Sequence, residues 1–478
     1  MDVIVSKVSD IPLGAALTEE QARAIYSQGE EVVVLALLEL AKMIAEDRAA
    51  KAKSDNDSPA TPSGMKPPHS KPNTPKAGKG KNGKKPGRKP GHPGSRRAAP
   101  DRIDDKEEHR AESCPDCGGP LNECNETRTR YIEDIPEDIK PVVIEHTIYR
   151  DWCPNCKKKV EPPVPDALPK STLGHRVLVL TAWMHYALGN TLSQIVEVFN
   201  FHLQMKVTPG GLVQMWYRLQ EVLYAWYEQI QAEALKSGVL HGDETGWRVN
   251  GKTHWLWCFS NTRLTYYMIH RSRGSPALME FFIREFAGIL ITDFWGAYNA
   301  VECALRQTCL VHLLRDLKHV EKYKSTKEDW PQFAKKLRRL VGDAVRLWRK
   351  RDELPVESYA SRRGHITNRL AELIETHWEN REARRLVKRL RRHQDQVFTF
   401  LDHDNVPFEN NHAERAIRPA VIIRKNSYGN RSNAGADAQA VLMSIFRTLK
   451  QRSHNPTRTI VHALRTYVQT GKLPPLPE

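Results

Sequence analysis

The sequence predicts a protein of the α/β class whose central domain is built around three acidic residues. Short apolar runs with the composition of strands lie between residues 238 and 329, and helical patterns lie on both sides of them. Asp243 and Asp293 each end such a run, and Glu414 lies near the start of a helix. Three carboxylates brought together repel one another, so a cluster of this kind persists mainly where cations bind it.

The order of the predicted elements in the central region is three strands, a helix and a further strand. They span residues 239–240, 253–259, 264–269, 276–286 and 289–292. This order is typical of an RNase H-like core. Residues 238–329 form the first part of that core, residues 330–402 a basic helical insertion, and residues 403–478 the second part with closing helices.

The charge balance of the chain indicates a polyanionic partner. Its 478 residues include 73 Lys and Arg against 57 Asp and Glu, a net charge of +16, which suits nucleic acid or an acidic membrane surface. No segment reaches the ~20 continuous apolar residues of a membrane span, and the N-terminus lacks the pattern of a signal peptide. We therefore expect a cytoplasmic protein, with its eight cysteines reduced or metal-bound.

Two segments before the core differ in composition. Residues 1–53 carry a capping-box sequence at Thr18–Gln21 and an apolar stripe at helical spacing, which predicts an amphipathic helix. Such a helix either packs on its own protein or mediates self-association, and its position before a long linker favours self-association. Residues 54–105 contain ten prolines and no apolar periodicity, which predicts a disordered linker.

The linker is strongly basic and contains no acid between Lys66 and Arg97. A run of one sign either keeps a linker solvated or contacts a phosphate backbone non-specifically, and the two roles are compatible. The residues that we expect to contact DNA here are Lys84, Lys85, Arg88, Lys89, Arg96 and Arg97.

Two Cys-x-x-Cys pairs follow the linker. They are Cys114 with Cys117 and Cys153 with Cys156. Thiolates separated by two residues on a tight turn can reach one tetrahedral ion, so the pairs predict a zinc ribbon over residues 106–165. Two strands are expected between the pairs, at residues 130–135 and 142–149. Four thiolates leave no open position on the ion, so this Zn²⁺ is expected to be structural, and the unpaired Cys124 is expected to pack.

Residues 172–237 are predicted to be helical, with a turn around residues 201–206. The second long helix begins with Thr208 as its N-cap and Pro209 at its first position. This layout fits a helix-turn-helix, although few basic residues face out of the second helix. A helical hairpin that braces the next domain is equally open.

Each acid of the cluster also has an ordinary structural explanation. Asp243 and Asp293 could be turn residues after strands, and Glu414 stands where a glutamate completes a helix N-terminus. Basic residues that could hold phosphates follow Glu414, and they favour a metal site. These are Arg415, Arg418, Arg424, Lys425 and Arg431. The residues alone leave a two-metal phosphoryl-transfer site and a chance arrangement equally open.

Four stretches of the chain carry a resemblance to a known family. They are His241–Trp247, Thr292–Tyr298, Cys309–His312 and Asn410–Pro419. Together they resemble the large transposase of the insertion-sequence-66 family, and the stretch around Glu414 is the most specific. The two cysteine pairs and the segment Arg88–Gly94 resemble the N-terminal zinc-binding region of that family. The likeness runs from about Lys84 to the C-terminus.

The resemblance implies a DDE transposase in which Asp243, Asp293 and Glu414 form the catalytic triad. Our hypothesis is that Asp243 bridges two Mg²⁺ ions while Asp293 and Glu414 each hold one. After the transposon end is nicked, the freed 3′-OH attacks target DNA. The resemblance also implies at least a dimer on bacterial nucleoid DNA. It leaves Cys309 and His312 either to pack or to bind near the site.

Two other functions use the same sequence features. An RNase H-like, structure-specific nuclease would use the same acids without joining a 3′-OH end to a target. A catalytically inactive, zinc-ribbon regulator would bind DNA only, and the presence of all three carboxylates disfavours it.

Overall fold

The computed structural model describes residues 100–122, 128–136, 139–324 and 326–478, together with a few residues between Arg23 and Val34. Residues 54–99 of the predicted linker lie outside the described residues, as does most of the predicted N-terminal helix. Cys124 and the six basic residues expected to contact DNA from the linker lie outside them too. Those predictions stay predictions.

The centre of the fold is a five-stranded sheet. Its strands are β3 (Val239–Val249), β4 (Lys252–Ser260), β5 (Thr265–His270), β6 (Phe286–Thr292) and β7 (Cys303–Thr308). Their spatial order is β5-β4-β3-β6-β7. Strands β3, β4 and β5 pair antiparallel, whereas β6 pairs parallel with β3 and with β7. The chain is therefore a mixed α/β protein.

Two expectations about the sheet were wrong in detail. The first strand is eleven residues long rather than two, so Asp243 lies inside β3 and does not end it. Strand β7 was not predicted. Pairing with a neighbouring strand decides the conformation in both cases. Strand β3 contains two glycines and an Asp-Glu pair, which disfavour a strand locally, but β4 pairs with it from His241 to Val249.

Helices cover the sheet. Before it stand α1 (His175–Tyr186), α2 (Leu192–Glu197) and α3 (Pro209–Leu235), and α4 (Ser275–Phe281) precedes β6. After β7 come α5 (Leu310–Tyr323), α6 (Trp330–Arg349), α7 (Val356–Glu375), α8 (Arg381–Arg392) and α9 (Gln394–Val397). The closing helices are α10 (Asn411–Ser427), α11 (Asn433–Gln451) and α12 (Pro456–Thr470).

The buried apolar residues form two clusters. The larger unites the sheet with α1, α3 and the closing helices, and the smaller is built from β6, α5 and the helices of residues 330–402. This last stretch is helical without any strand, as predicted. Helix α3 begins as expected, because the Thr208 hydroxyl accepts a hydrogen bond from the Gly211 amide at 3.2 Å. It packs against α11 and β5 and so braces the sheet.

The cysteine-rich segment contains a short antiparallel pair, β1 (Asp151–Cys153) and β2 (Lys158–Val160). The strands expected at residues 130–135 and 142–149 were wrong, since the described residues of both stretches form neither strand nor helix. Their apolar side chains are exposed and have no second layer to pack against, Val142 and Val143 above all. Across the described part of the chain, no helix combines the length and apolar character needed to cross a bilayer.

Candidate active site

Asp243 lies on β3 just beyond the point where β3 stops pairing with β6. Parallel pairing of β3 with β6 ends at His241, and antiparallel pairing with β4 continues through Asp243, which faces Cys258. The Asp243 side chain is buried, and its Oδ1 accepts a hydrogen bond from the Glu244 amide at 2.9 Å. Its Oδ2 is buried without a hydrogen-bond partner among the described residues. A buried carboxylate oxygen without a partner carries a free-energy cost that a bound cation removes.

Asp293 directly follows β6, as the sequence predicted. Its Oδ1 accepts a hydrogen bond from the backbone amide of Trp295 at 2.8 Å, which makes a turn at the carboxyl end of the strand. The side chain is only partly buried. Asp293 is thus both a turn residue and a carboxylate at the carboxyl end of β6, the strand that pairs with β3.

Glu414 lies in the first turn of α10, again as predicted. It does not complete the helix N-terminus in the way that its ordinary explanation requires, since the N-cap Asn410 makes no side-chain capping bond. Its carboxylate instead accepts hydrogen bonds from the Arg315 guanidinium, from Nη1 at 2.8 Å and from Nη2 at 3.5 Å. The Nε2 atom of His312 stands 3.8 Å from Glu414 Oε1.

Two asparagines fix α10 across β3. At the start of the helix the Asn410 amide donates to the Gly242 carbonyl at 2.7 Å, and its Oδ1 lies 2.9 Å from Nδ1 of His241. At the other end Asn430 accepts from Trp247 Nε1 at 2.7 Å and donates its backbone amide to Arg248. These bonds hold Glu414 against the strand that carries Asp243. Sequence analysis missed both asparagines as anchors.

A glycine allows the second of these contacts. Gly429 has φ +115°, and a Cβ atom on it would lie 2.3 Å from the carbonyl oxygen of Arg248. A side chain at this position would therefore separate the end of α10 from β3.

The acids act on one another electrostatically. Burial raises the pKa of Asp243 well above its ordinary value, and the negative charges of Glu244, Asp293 and Glu414 raise it further. Yet among the described residues no three His, Cys, Asp or Glu side chains stand close enough together to hold a metal ion. The charges of Asp293 and Glu414 thus act on Asp243, while the Glu414 carboxylate is bound to Arg315.

Helix α5 supplies two positive groups that the sequence analysis did not assign. Burial disfavours protonation of His312, but Cys309 and the Asp293 carboxylate favour it and raise its pKa to about 9. The Arg315 guanidinium lies one turn further along, with Nη1 3.4 Å from His312 Nε2. Cys309 is buried at the start of the helix, where its amide donates to Thr292, the residue before Asp293. The pair Cys309 and His312 therefore packs beside the acids.

A fourth acid, Glu244, lies next to Asp243 on β3 and was also missed. Its side chain is almost fully buried and is bound by Arg273 and by the Tyr298 hydroxyl. Burial and the charge of Asp293 raise its pKa to about 7, although Arg273 and Tyr298 oppose that shift. The feature of the sequence that could have indicated Glu244 is its position directly after Asp243.

The two cysteine pairs form two similar turns. The residue after each pair has a positive φ, +69° at Gly118 and +49° at Lys157. Hydrogen bonds from the backbone amides of Asp116 and Cys117 lower the pKa of the Cys114 thiol, and the Cys156 amide does the same for Cys153. Lower thiol pKa values favour the thiolates that bind zinc. The structure builds each half of the predicted site, but it does not bring the two halves together.

The basic residues after Glu414 divide into two groups. Arg415, Arg418, Lys425 and Arg431 are exposed. Arg424 is partly buried and donates to the Thr245 hydroxyl at 3.0 Å and to the Gly246 carbonyl, and burial lowers its pKa. The Arg424 guanidinium is directed into β3, and its expected contact with DNA stays a prediction.

Comparison with known sequences assigns the class of protein and then the family. A sequence model described as the zinc-finger binding domain of transposase IS66 matches residues 111–157, which include both cysteine pairs. A second, described as Transposase IS66 family, matches residues 170–438, which include Asp243, Asp293 and Glu414. A zinc-finger segment thus precedes a transposase domain. The second match spans more than half of the chain, so this protein belongs to the IS66 family of transposases, which confirms the resemblance.

One curated relative is a protein of Sinorhizobium fredii, named uncharacterized protein y4qI. It is 24% identical over 255 residues, which are 46% of this chain and 45% of the relative. The chain therefore spans about half the length of the curated relative that it matches.

Proposed function

We propose that this protein is a DNA transposase of the DDE type, which cleaves the ends of its element and transfers the 3′-OH to target DNA. The observation that carries this proposal is Asp243, buried with an unpartnered Oδ2 and coupled by charge to Asp293 and Glu414. Buried carboxylates with strongly perturbed pKa values cluster at functional sites. Membership of a transposase family supports the choice of reaction.

We also propose that the sheet is the core of an RNase H-like fold. The order β5-β4-β3-β6-β7, with three antiparallel strands followed by two parallel ones, supports this. Asp243 then lies on one of the two central strands, two residues beyond the end of its parallel pairing with β6, and Asp293 directly follows the other. Glu414 is contributed by α10. The domain division proposed with it has a zinc ribbon at 106–165, a helical domain at 172–237, and a core at 238–329 and 403–478 around the insertion 330–402.

The donor set fits Mg²⁺. Asp243, Asp293 and Glu414 offer only oxygen donors, which Mg²⁺ prefers, and the unpartnered Asp243 Oδ2 is a vacant donor. When bound, Mg²⁺ would favour deprotonation of the attacking hydroxyl or water and stabilise the leaving 3′-oxygen. Within the chain, Asn410 and Asn430 hold α10 in place, and Arg315 holds Glu414 at the edge of the cluster. Glu414 would hold a cation in competition with Arg315, which binds its carboxylate in this structure.

DNA is proposed to run across the exposed face of α10. Arg415, Arg418, Lys425 and Arg431 present positive charge there, and the linker residues from Lys84 to Arg97 would add contacts to the phosphate backbone. The four cysteines are proposed to hold one structural Zn²⁺. Two DNA ends must be processed together, so we propose at least a dimer on DNA.

A strand-transfer assay with purified protein tests the proposed function. The substrates are intact element ends, ends already nicked at the 3′ position, and a target plasmid, each with Mg²⁺ or with EDTA. A transposase joins pre-nicked ends to the target in Mg²⁺, and Asp243→Asn abolishes this while DNA binding remains. Cleavage without joining would assign a nuclease instead. Binding without metal-dependent cleavage or joining would assign a DNA-binding regulator.

A further inference from the structure

The Glu244 carboxyl group lies deep in the sheet, and both of its oxygens are bound. Its Oε1 accepts from Arg273 Nε at 3.1 Å and from Nη2 at 3.0 Å, and its Oε2 accepts from the Tyr298 hydroxyl at 2.9 Å. Glu244 is next to Asp243 in β3, so the two side chains point to opposite faces of the sheet. Asp243 therefore points to one face of the sheet, and the ion pair of Glu244 with Arg273 lies on the other.

Stability alone does not explain such a pair. Taking two charges out of water costs about as much as their attraction returns, and well-packed apolar residues of similar volume do as well or better. A buried ion pair does, however, fix geometry, because each partner can be satisfied in only one arrangement. The contacts of this ion pair extend to the turn that carries Asp293.

Arg273 is stacked between two tryptophans. Its guanidinium carbon lies 3.9 Å from the ring centroid of Trp295 and 4.7 Å from that of Trp255. The Trp295 indole also donates to the carbonyl of Arg273 at 3.1 Å. Arg273 therefore holds Trp295 through two contacts, one with the face of the ring and one with the indole N–H.

The backbone of Trp295 in turn holds Asp293. Its amide donates to Asp293 Oδ1 at 2.8 Å, so the orientation of that carboxylate depends on the position of Trp295. Tyr298 belongs to the same turn and ties it back to Glu244. A continuous series of contacts thus runs from Glu244 through Arg273 and Trp295 to Asp293.

We infer that Glu244 and Arg273 are positioning residues, which hold the turn Asp293–Tyr298 so that the Asp293 carboxylate is ready to bind a divalent cation. This inference rests on the proposed function, which makes Asp293 a cation ligand. The residues act through Trp295 and do not touch the reacting atoms. Outer contacts that orient a ligand typically change metal affinity about 10–100-fold when they are removed.

The test is the affinity of the full-length protein for Mn²⁺, measured by isothermal titration calorimetry without DNA. Arg273→Lys keeps the charge but loses the two hydrogen bonds that converge on Glu244 Oε1 and the flat stacking surface, so we expect Mn²⁺ binding to weaken about tenfold. Glu244→Gln should have a similar effect, and the double variant should be no worse than either single one. Arg271→Lys, an exposed neighbour in the same segment, is the matched control and should bind like the parent protein.

A second readout separates positioning from loss of structure. The Mg²⁺ concentration for half-maximal cleavage should rise about tenfold in Arg273→Lys, while the rate at saturating Mg²⁺ recovers to within about threefold of the parent. If Glu244→Gln does not fold, Trp295→Phe replaces it, because it keeps the stacked ring and loses the bond to Arg273. Parent-like Mn²⁺ affinity in Arg273→Lys overturns the inference. So does a weakening that merely follows the fraction of unfolded protein.

Asp293→Asn distinguishes failure of this inference from failure of the proposed function. If Asp293→Asn loses Mn²⁺ binding but Arg273→Lys does not, the positioning role is wrong and the cation site stands. If Asp293→Asn binds Mn²⁺ like the parent protein, the proposed cation site itself is wrong.

Discussion

The Arg315 guanidinium donates a 2.8 Å hydrogen bond to the Glu414 carboxylate, across 99 residues of chain. Both side chains are largely withdrawn from solvent, so the interaction is weakly screened. It means that the third acid of the cluster has a positive partner supplied by the protein itself. Any cation that binds Glu414 must compete with Arg315.

Arg315→Gln should therefore change metal affinity and catalysis in opposite directions. Removing the competing charge should tighten Mn²⁺ binding by about tenfold, since a hydrogen bond to a charged group contributes roughly 1.5–3 kcal/mol. DNA cleavage should slow, because a positive group beside the proposed cation site, where it could stabilise developing negative charge, is removed. Calorimetry and a single-turnover cleavage assay measure the two effects. Arg418→Gln is the control and should alter DNA binding alone; weaker Mn²⁺ binding in Arg315→Gln would contradict the competition.

Asp243→Asn should make the protein more stable at neutral pH. A carboxyl group whose folded-state pKa lies above its unfolded-state value binds its proton more tightly when the protein is folded. Its contribution to stability is thus present at low pH and is lost as the pH rises from about 4 through the folded pKa. Asparagine lacks this loss, which amounts to about 1.4 kcal/mol per pKa unit.

Melting temperatures in EDTA at pH 4 and pH 7.5 measure this effect. The variant should melt a few degrees above the parent at pH 7.5, roughly 2–4 °C per kcal/mol, and the difference should vanish near pH 4. Adding Mg²⁺ should stabilise the parent and leave the variant unchanged. Asp352→Asn alters an acid that is 89% exposed and should show neither effect. A variant that melts below the parent at pH 7.5 would show that Asp243 stabilises the fold.

Asn410→Ala should uncouple α10 from β3. The change leaves the Gly242 carbonyl and the His241 ring without their partner, at a cost of about 1–3 kcal/mol. We expect a lower free energy of unfolding and a larger loss of cleavage than the stability change explains, because Glu414 lies in the first helical turn after Asn410. Asn411→Ala, at the adjacent position, is the control. Parent-like cleavage in Asn410→Ala would mean that α10 is held by its apolar face alone.

The sequence indicated two of the three acid settings, because those settings are local. An apolar run before Asp293 and helix-start residues before Glu414 can be recognised without tertiary structure. Asp243 was placed at a strand end because Gly242 and the polar residues after it interrupt the apolar pattern. Only pairing with β4 and β6 carries the strand through them. Pairing with the neighbouring strands thus overrides the local preference of these residues against a strand.

The partners of the acids were beyond local pattern. Arg315 meets Glu414 across 99 residues, and Asn410 meets Gly242 across 168. Nothing in their neighbourhoods distinguishes them from other surface arginines or helix-start asparagines. The contacts of Arg424 were equally beyond local pattern, since this basic residue beside the proposed DNA track donates into β3. Such assignments depend on which way a helix faces.

Zinc content should be one ion per chain and should depend on both cysteine pairs. Cys114→Ser and Cys156→Ser should each lose the ion, as measured by plasma mass spectrometry after dialysis, because a three-thiolate site binds more weakly. Cys124→Ser, which lies between the pairs, should keep it. Loss of zinc should unfold the segment around residues 111–157 and leave the melting of the transposase domain within a few degrees of the parent. Zinc retained in Cys156→Ser would rule out a shared four-cysteine site.

The basic linker should account for part of the salt dependence of DNA binding. Replacing Lys84, Lys85, Arg88, Lys89, Arg96 and Arg97 by glutamine should lower the slope of log affinity against log salt by about 0.9 for each DNA phosphate that the variant no longer neutralises. Fluorescence anisotropy with duplex DNA between about 50 and roughly 300 mM salt measures the slope. Replacing Pro86, Pro90 and Pro93 by alanine keeps the charge while softening the chain, and it should leave the slope unchanged. If the charge variant keeps the parent slope, these residues only separate the N-terminal helix from the zinc-finger segment.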